Sequence, residues 1–180
     1  MAPEPAPIDR LPAVGEAAVC MGVFDGVHRG HLALVGETVR AAEERGLRSV
    51  ALVFEPHPDE VVRPGTVVPR LAPLAENLRR LAAAGIDAPL PVRFGAELRA
   101  RTAEDFLAAM APAVRVRALV MTPESAFGRN RAGTPETMAA HGRDAGFDLV
   151  LVQHIVEDDG APISSGRVRD AVRAGDIDAA

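Results

Sequence analysis

Near the start of the chain, the run from Gly22 to His31 reads G-V-F-D-G-V-H-R-G-H, and its residue types and spacing suit phosphate chemistry. His28 and His31 are three residues apart, so at the start of a helix they share one face. Backbone N–H groups at such a helix end point outward and favour anions. Each imidazole can donate an N–H to charge that builds on a phosphoryl group in a transition state. Gly22, Gly26 and Gly30 let the backbone approach a ligand and adopt turns that other residues resist. An isolated pair of histidines serves equally well as a helix cap and a surface residue. The combination of G-x-F-D-G with H-x-G-H, between a strand and a helix, favours the phosphate reading.

The surrounding pattern supplies that placement. Ala17 to Val23 is a short apolar run and reads as a strand. Leu32, Val35, Val39 and Ala42 follow at helical spacing, closed by Gly46. Further strands are expected at Ser49 to Phe54, Leu90 to Phe94, Arg117 to Met121 and Leu149 to Gln153, with Pro89 and Pro91 weakening the second of these. Helices are expected over Pro73 to Ala84, from the Thr102 cap through Met110, from Thr134 and Pro135, and from Ser164 or Ser165 to Arg173. Strands alternating with helices predict an α/β fold. It is a Rossmann-like, doubly wound, mainly parallel sheet of about five strands, covered on both faces. Ligands bind such sheets at the carboxyl ends of the strands, near the switch in strand order.

Bulk properties narrow the function. The 180 residues fit a single domain over 17–180 behind a Pro- and Ala-rich lead-in at 1–16, irregular or carrying a short edge strand. Net charge is -5, which argues against a general binder of nucleic acid or membrane surfaces. All 20 basic residues are Arg, so no mechanism here uses a lysine. One cysteine, Cys20, sits in an apolar run and reads as core, with no disulfide or cysteine zinc site within the chain. The N-terminus lacks a signal-peptide pattern and no apolar run approaches a membrane span, so the expected location is cytoplasmic.

With H-x-G-H after a strand, the chain resembles the nucleotidyltransferase superfamily that includes class I aminoacyl-tRNA synthetases and cytidylyltransferases. The longer string G-V-F-D-G-V-H-R-G-H resembles one branch, the FMN adenylyltransferase (FAD synthetase) domain of the bacterial bifunctional riboflavin kinase/FAD synthetases. Phe54 to Pro58 (FEPHP) is similar to the family's second-strand motif, followed by Arg63, Pro64 and RLAPLAENLRRL. Ala126 to Gly133 (AFGRNRAG) resembles its F-G-x-x-R-x-G segment, and Ile163 to Ile177 (ISSGRVRDAVRAGDI) its I-S-S-T-R-I-R helix.

The resemblance implies adenylyl transfer from ATP to FMN, with FAD and pyrophosphate as products and Mg²⁺ accompanying ATP. The FMN phosphate is itself the attacking group, so neither a protein nucleophile nor a general base is needed. His28 and His31 are then assigned to the α-phosphate and Arg167 to the leaving pyrophosphate. Gly22, Phe24, Asp25, Gly30, Ser164, Ser165 and Arg169 are assigned to ATP, with Asp25 holding either a ligand group or the loop itself. His57, Pro58, Glu124, Phe127, Gly128 and Arg131 fall on the flavin side, and Glu124 is also the candidate metal ligand. For His57, a ligand contact and a purely structural turn stay open. His141 and His154 match no motif.

Four departures stand out. Thr122, Pro123, Glu124 and Ser125 replace the family's G-x-D-F or G-x-N-F, Gly166 replaces its Thr, and Asn77 and Ala72 stand where Lys and Thr are common. The sequence ends at Ala180 without a riboflavin kinase half; if the chain is complete, FMN is expected to come from elsewhere, for instance a separate kinase. The altered loop keeps two alternatives open: a different phosphate-bearing acceptor, or a nucleotide- or flavin-binding module without turnover.

Overall fold

The computed structural model describes residues 3–153, 157–158, 161–178 and 180. Side chains that alternate along the first strand decide the layering. In β1 (Gly15–Gly22), Ala17 and Val19 enter one core while Ala18 and Cys20 enter the other, all fully buried. A strand apolar on both faces must be covered on both. Chain order supplies the cover: α1 (Arg29–Glu43), β2 (Arg48–Glu55), α2 (Pro58–Val62), α3 (Leu74–Ala83), β3 (Ala88–Arg93), α4 (Ala96–Ala100) and α5 (Ala103–Met110). They are followed by β4 (Val114–Met121), α6 (Pro135–Ala145), β5 (Asp148–Leu151), the short pair β6 (Glu157–Asp158) and β7 (Ala161–Pro162), and α7 (Ser165–Ala174).

Five strands form one parallel sheet in the order β3-β2-β1-β4-β5. This is the doubly wound α/β arrangement expected from the alternating pattern. Phe106 and Met110 of α5 and Met138 of α6 cover one face, against Val19, Leu52 and Leu119. Leu34 and Val35 of α1 and Leu78 and Leu81 of α3 cover the other, against Cys20, Val53 and Val120. Burial pushes the Cys20 thiol up to about 12, so it is an inert core group. The chain runs outward from β1 to β3 and then returns to the far side of β1 for β4. The loops after β1 and β4 therefore diverge at the carboxyl end of the sheet and open a crevice there.

Several boundaries differ from the sequence reading. Of the two readings of the lead-in, the edge pairing is the one present. Ala6 forms a parallel bridge to Val92, Ile8 and Leu11 are buried, a 3-10 turn spans Ile8–Arg10, and β1 already begins at Gly15. The cause is the exposed edge of β3, where the Ala6 N–H donates to the Pro91 carbonyl at 3.1 Å and the Arg93 N–H to the Ala6 carbonyl at 2.8 Å. Pro91 turns its carbonyl to that outer edge, so its missing N–H is not needed for pairing to β2. β4 starts three residues earlier than Arg117, because Val114, Arg115 and Val116 pair with Gly15, Glu16 and Ala17 of neighbouring β1. β5 ends at Leu151, short of Gln153. On α1 the buried stripe is Leu34, Val35, Thr38, Ala41 and Ala42, and Leu32 is left 45% exposed on the first turn. The Thr38 hydroxyl satisfies itself on the Leu34 carbonyl at 2.8 Å.

Caps fall where the residue types put them. Thr102 accepts from the Asp105 N–H at 3.0 Å, and Thr134 and Thr137 form a reciprocal capping box. No helix among the described residues is long and apolar enough to cross a membrane.

Gly142 offers a test of packing against propensity. Alanine is the better helix former by about 1 kcal/mol, yet a methyl on Gly142 would collide with the Phe147 carbonyl oxygen and ring. Gly142→Ala is expected to destabilise by roughly 1–3 kcal/mol, read as a Tm lowered by about 2–4 °C per kcal/mol. A raised Tm would show that α6 and β5 separate freely.

Candidate active site

The turn after β1 is wound through unusual backbone. Phe24 (φ 53°), Gly26 (φ 81°) and Val27 (φ 45°) all lie in the left-handed region. Phe24 is fully buried and Val27 nearly so, and that anchoring holds a conformation that non-glycine residues resist. The turn delivers His28 to the N-cap of α1, where its Nδ1 accepts the His31 N–H at 3.4 Å. The His28 and His31 rings stack with centroids 3.7 Å apart and planes 22° from parallel, and the Phe24 ring lies 5.2 Å from that of His31. Gly30 allows this: a Cβ there would sit 3.2 Å from the His28 ring and 3.1 Å from the Ile163 carbonyl.

Both imidazoles are neutral at pH 7. Burial, with the neighbouring His28 as a second cause, drives His31 down to about 3. Burial also lowers His28, opposed by Asp25. Because His28 Nδ1 accepts a hydrogen bond, its proton sits on Nε2. His31 Nδ1 is buried without a hydrogen-bond partner among the described residues.

Asp25 is 1% exposed. Its carboxylate accepts from the Leu71 N–H at 2.9 Å, the Ala72 N–H at 3.2 Å and Arg169 Nη2 at 2.7 Å. Burial pushes this carboxyl up, but those donors outweigh it and hold it below the ordinary range. Arg169 also donates to the Pro69 carbonyl at 2.8 Å, and the Ser165 hydroxyl donates to the Asp25 carbonyl at 3.0 Å. Of the two roles open to Asp25, the geometry is that of holding the loop. Asp25 and Arg169 are engaged with each other and with backbone. The buried charge needs those partners.

A cleft of about 240 Å³ opens over the two rings, lined also by Gly22, Phe24, Gly30, Thr122, Glu124, Ser125, Val152, Pro162 and Ile163. It lies between the loops that follow β1 and β4. The N-terminus of α7 closes its rim, with Ser164 Oγ accepting the Arg167 N–H at 3.3 Å. Arg167 donates to the carbonyls of Ala161 at 2.8 Å and Pro162 at 3.3 Å, so in this state it braces β7 against α7. In the altered loop, Ser125 Oγ accepts the Thr122 N–H at 3.0 Å and lies 2.7 Å from the Thr122 hydroxyl, closing a compact turn that leaves Glu124 exposed.

Other predicted residues lie outside this cleft. His57 caps α2, its Nδ1 accepting the Asp59 N–H at 3.1 Å, and Pro58 is the first residue of that helix. That geometry is the structural turn. Phe127 is half-buried and packs edge-on against Phe106 at 5.5 Å, against the core. Gly128 (φ 73°) is needed for packing, since a Cβ would lie 2.6 Å from the Ala103 nitrogen. Arg131 reaches the Glu124 carbonyl only at 3.4 Å. His141 packs edge-on against Phe147, and His154 lies outside the described residues. Asn77, which the sequence marks only as a departure, has a positioning role. Its Oδ1 accepts the Gly26 N–H at 3.0 Å and its amide donates to the Ala72 carbonyl at 3.3 Å, linking the same two segments as Asp25. Ile163 and Val152 carry no chemical signal in the sequence.

The family model for FAD synthetase matches residues 12–167. The chain belongs to the FAD synthetase family. The bifunctional riboflavin kinase/FMN adenylyltransferase of Escherichia coli (strain K12) is 37% identical over 153 residues, covering 84% of this chain and 49% of that protein. This FAD synthetase-family chain thus spans about half the length of that relative. Among solved structures, one titled as a macrolide-efflux protein from Streptococcus pneumoniae superposes with TM-score 0.84 at 24% identity, over 96% of this chain and 57% of that one. A pantothenate synthetase from Thermus thermophilus superposes with TM-score 0.57 at 19% identity, over 91% and 66%. These two likenesses concern the fold of the family domain alone.

The buried His31 predicts acid sensitivity. An unfolded His31 takes up a proton near pH 6.5, whereas the folded one does so only near 3. Between those values the unfolded state binds more protons, so stability falls as pH drops through the window, by roughly a few kcal/mol. Thermal melts from pH 7.5 to 4 should show Tm falling less steeply in His31→Gln than in the parent. Equal slopes would count against a buried neutral ring.

Proposed function

We propose that this domain transfers the adenylyl group of ATP to the phosphate of FMN, giving FAD and pyrophosphate. The observation that carries this reading is the stacked His28–His31 pair at the base of a cleft at the α1 N-terminus. An FMN phosphate oxygen attacks the α-phosphorus of ATP, one P–O bond forms, and the bond to the α,β-bridging oxygen breaks to release pyrophosphate. The attacking oxygen is already anionic, so no side chain has to remove a proton.

What the protein contributes is alignment and charge stabilisation. His28 and His31 donate N–H groups to the α-phosphate as charge gathers in the transition state. Protein walls around the cleft lower the local dielectric and strengthen those bonds relative to bulk solvent. Gly22 and Gly30 keep the cleft wall low beside the phosphates, and Phe24 fixes His31 from behind. The Ser164–Ser165 start of α7 brings a second helix N-terminus toward the outer phosphates. Arg167 grips pyrophosphate after exchanging its present carbonyl partners for phosphate oxygens.

Mg²⁺ usually takes one or two carboxylates together with substrate phosphates. Glu124, exposed at the cleft, fits that need, whereas the Asp25 carboxylate is fully engaged. When bound, the ion would neutralise triphosphate charge. The flavin would lie toward Glu124 and the loop after β4. The name of the Escherichia coli relative pairs this activity with riboflavin kinase. Phosphorylation of riboflavin is accordingly the class of reaction that supplies the acceptor, from a separate kinase if none is joined to this domain.

Incubation with ATP, Mg²⁺ and FMN should yield FAD and pyrophosphate in equal amounts. His28→Ala and His31→Ala should each lower kcat at least about 100-fold, the scale seen when one transition-state donor is lost. Pyrophosphate released only with another phosphate-bearing acceptor would redirect the substrate assignment, and ATP binding without product would end the catalytic one.

Gly166 allows a gain-of-function test. A Cβ there would meet only Ser164 Oγ, at an ordinary 3.6 Å, so a threonine side chain has room to start. Gly166→Thr should lower the KM for ATP by roughly 2- to 10-fold, the worth of one added hydrogen bond of about 0.5–1.5 kcal/mol. An unchanged or raised KM would show that no phosphate lies within that hydroxyl's reach.

A further inference from the structure

We propose that Asp25 is a positioning residue that ties together three segments beside the nucleotide cleft, the turn after β1, residues 69–72 and the start of α7, acting through Arg169 and Ser165 rather than by touching substrate. The inference rests on the reading that the cleft takes ATP. Its carboxylate is 1% exposed and receives donors from two separate parts of the chain, the Leu71–Ala72 backbone and the Arg169 guanidinium. Its own carbonyl accepts the Ser165 hydroxyl at 3.0 Å. Three residues later the same turn presents His28.

Those contacts have a directional consequence. The turn is held in left-handed backbone at Phe24 and Val27, so the His28 position follows from how the turn is clamped. Arg169 and Ser165 lie in the first turns of α7, so the clamp also sets the Ser164 end of that helix against the paired rings. Arg169 adds the Pro69 carbonyl, and Asn77 repeats the link by joining Gly26 to Ala72. Without the carboxylate, the guanidinium and two backbone N–H groups would lose their acceptor together. The rings and α7 would then no longer share one register.

The test compares Asp25→Asn with Asp87→Asn, the same chemical change at the opposite end of the sheet. Asp87 accepts from the Ser49 N–H at 2.8 Å and hydroxyl at 3.0 Å, away from the cleft. At a temperature where both variants are folded by circular dichroism, Asp25→Asn should lower kcat at saturating ATP at least tenfold, and Asp87→Asn less than twofold. Hydrogen–deuterium exchange should quicken jointly over 24–31, 69–72 and 164–169 in Asp25→Asn, with β1 and β2 still protected. Calorimetric titration with ATP should show at least tenfold weaker binding, a readout that stands even if FMN is not the acceptor. If Asp25→Asn does not fold, Arg169→Lys carries the same three measurements. Exchange confined to 24–31, or kcat and ATP affinity within twofold of the Asp87 variant, would overturn the proposal. Absence of FAD formation by the parent protein would count against the proposed reaction and leave the exchange and ATP-binding arms decisive for the clamp.

Discussion

A carboxylate removed from water must find partners for its lone pairs, and much of the site's arrangement follows from how Asp25 meets that demand. Its donors lie 46 and 144 residues away in the chain, in the segment after α2 and in α7. Satisfying one side chain therefore brings together the turn after β1, the start of the approach to α3 and the last helix. An apolar side chain of similar shape would impose no such requirement, because it would leave no buried polar group to satisfy. Phe24 and Val27, buried on either side, supply the apolar anchorage that lets the turn tolerate its left-handed backbone.

The electrostatics of the histidines depend on the same enclosure. Placing two imidazoles face to face in a largely buried position disfavours charge on either, which keeps them as neutral donors. Neutral rings give up some attraction for a triphosphate, and the N-termini of α1 and α7 offset part of it with oriented backbone N–H groups. The glycine between the histidines is a steric requirement of this arrangement: it admits both the stacked His28 ring and the Ile163 carbonyl.

Departures from the family pattern sort by what they touch. Asn77 replaces a common lysine but is hydrogen-bonded on both ends, joining the segments that Asp25 joins, so the loop stays tied without an ammonium group. Gly166 leaves the α7 start intact, since its neighbour Ser164 does the capping. The Thr122–Ser125 turn is internally satisfied and keeps an acidic side chain at the cleft. Ala72 is buried and contributes its backbone N–H to Asp25, a bond that any non-proline residue can make.

Local patterns were legible in the chain because their causes are local. Alternating apolar residues, Thr caps at 102 and 134, and a histidine pair spaced for one helix face each depend on neighbours within four positions. They were enough for the layered parallel sheet and for a phosphate-binding reading of H-x-G-H, while the family was legible only as a resemblance carried by strings such as GVFDGVHRGH and FEPHP. Long-range contacts left no such trace. The engagement of Asp25 by Arg169, the packing of Phe127 against Phe106 and the approach of Ile163 to Gly30 all join distant segments. A side chain's type states what bonds it can make, whereas only the packed fold decides which partner comes within reach. Asp25 and Arg169 were therefore readable as charged groups near phosphate, but their pairing with each other was a decision of the tertiary structure.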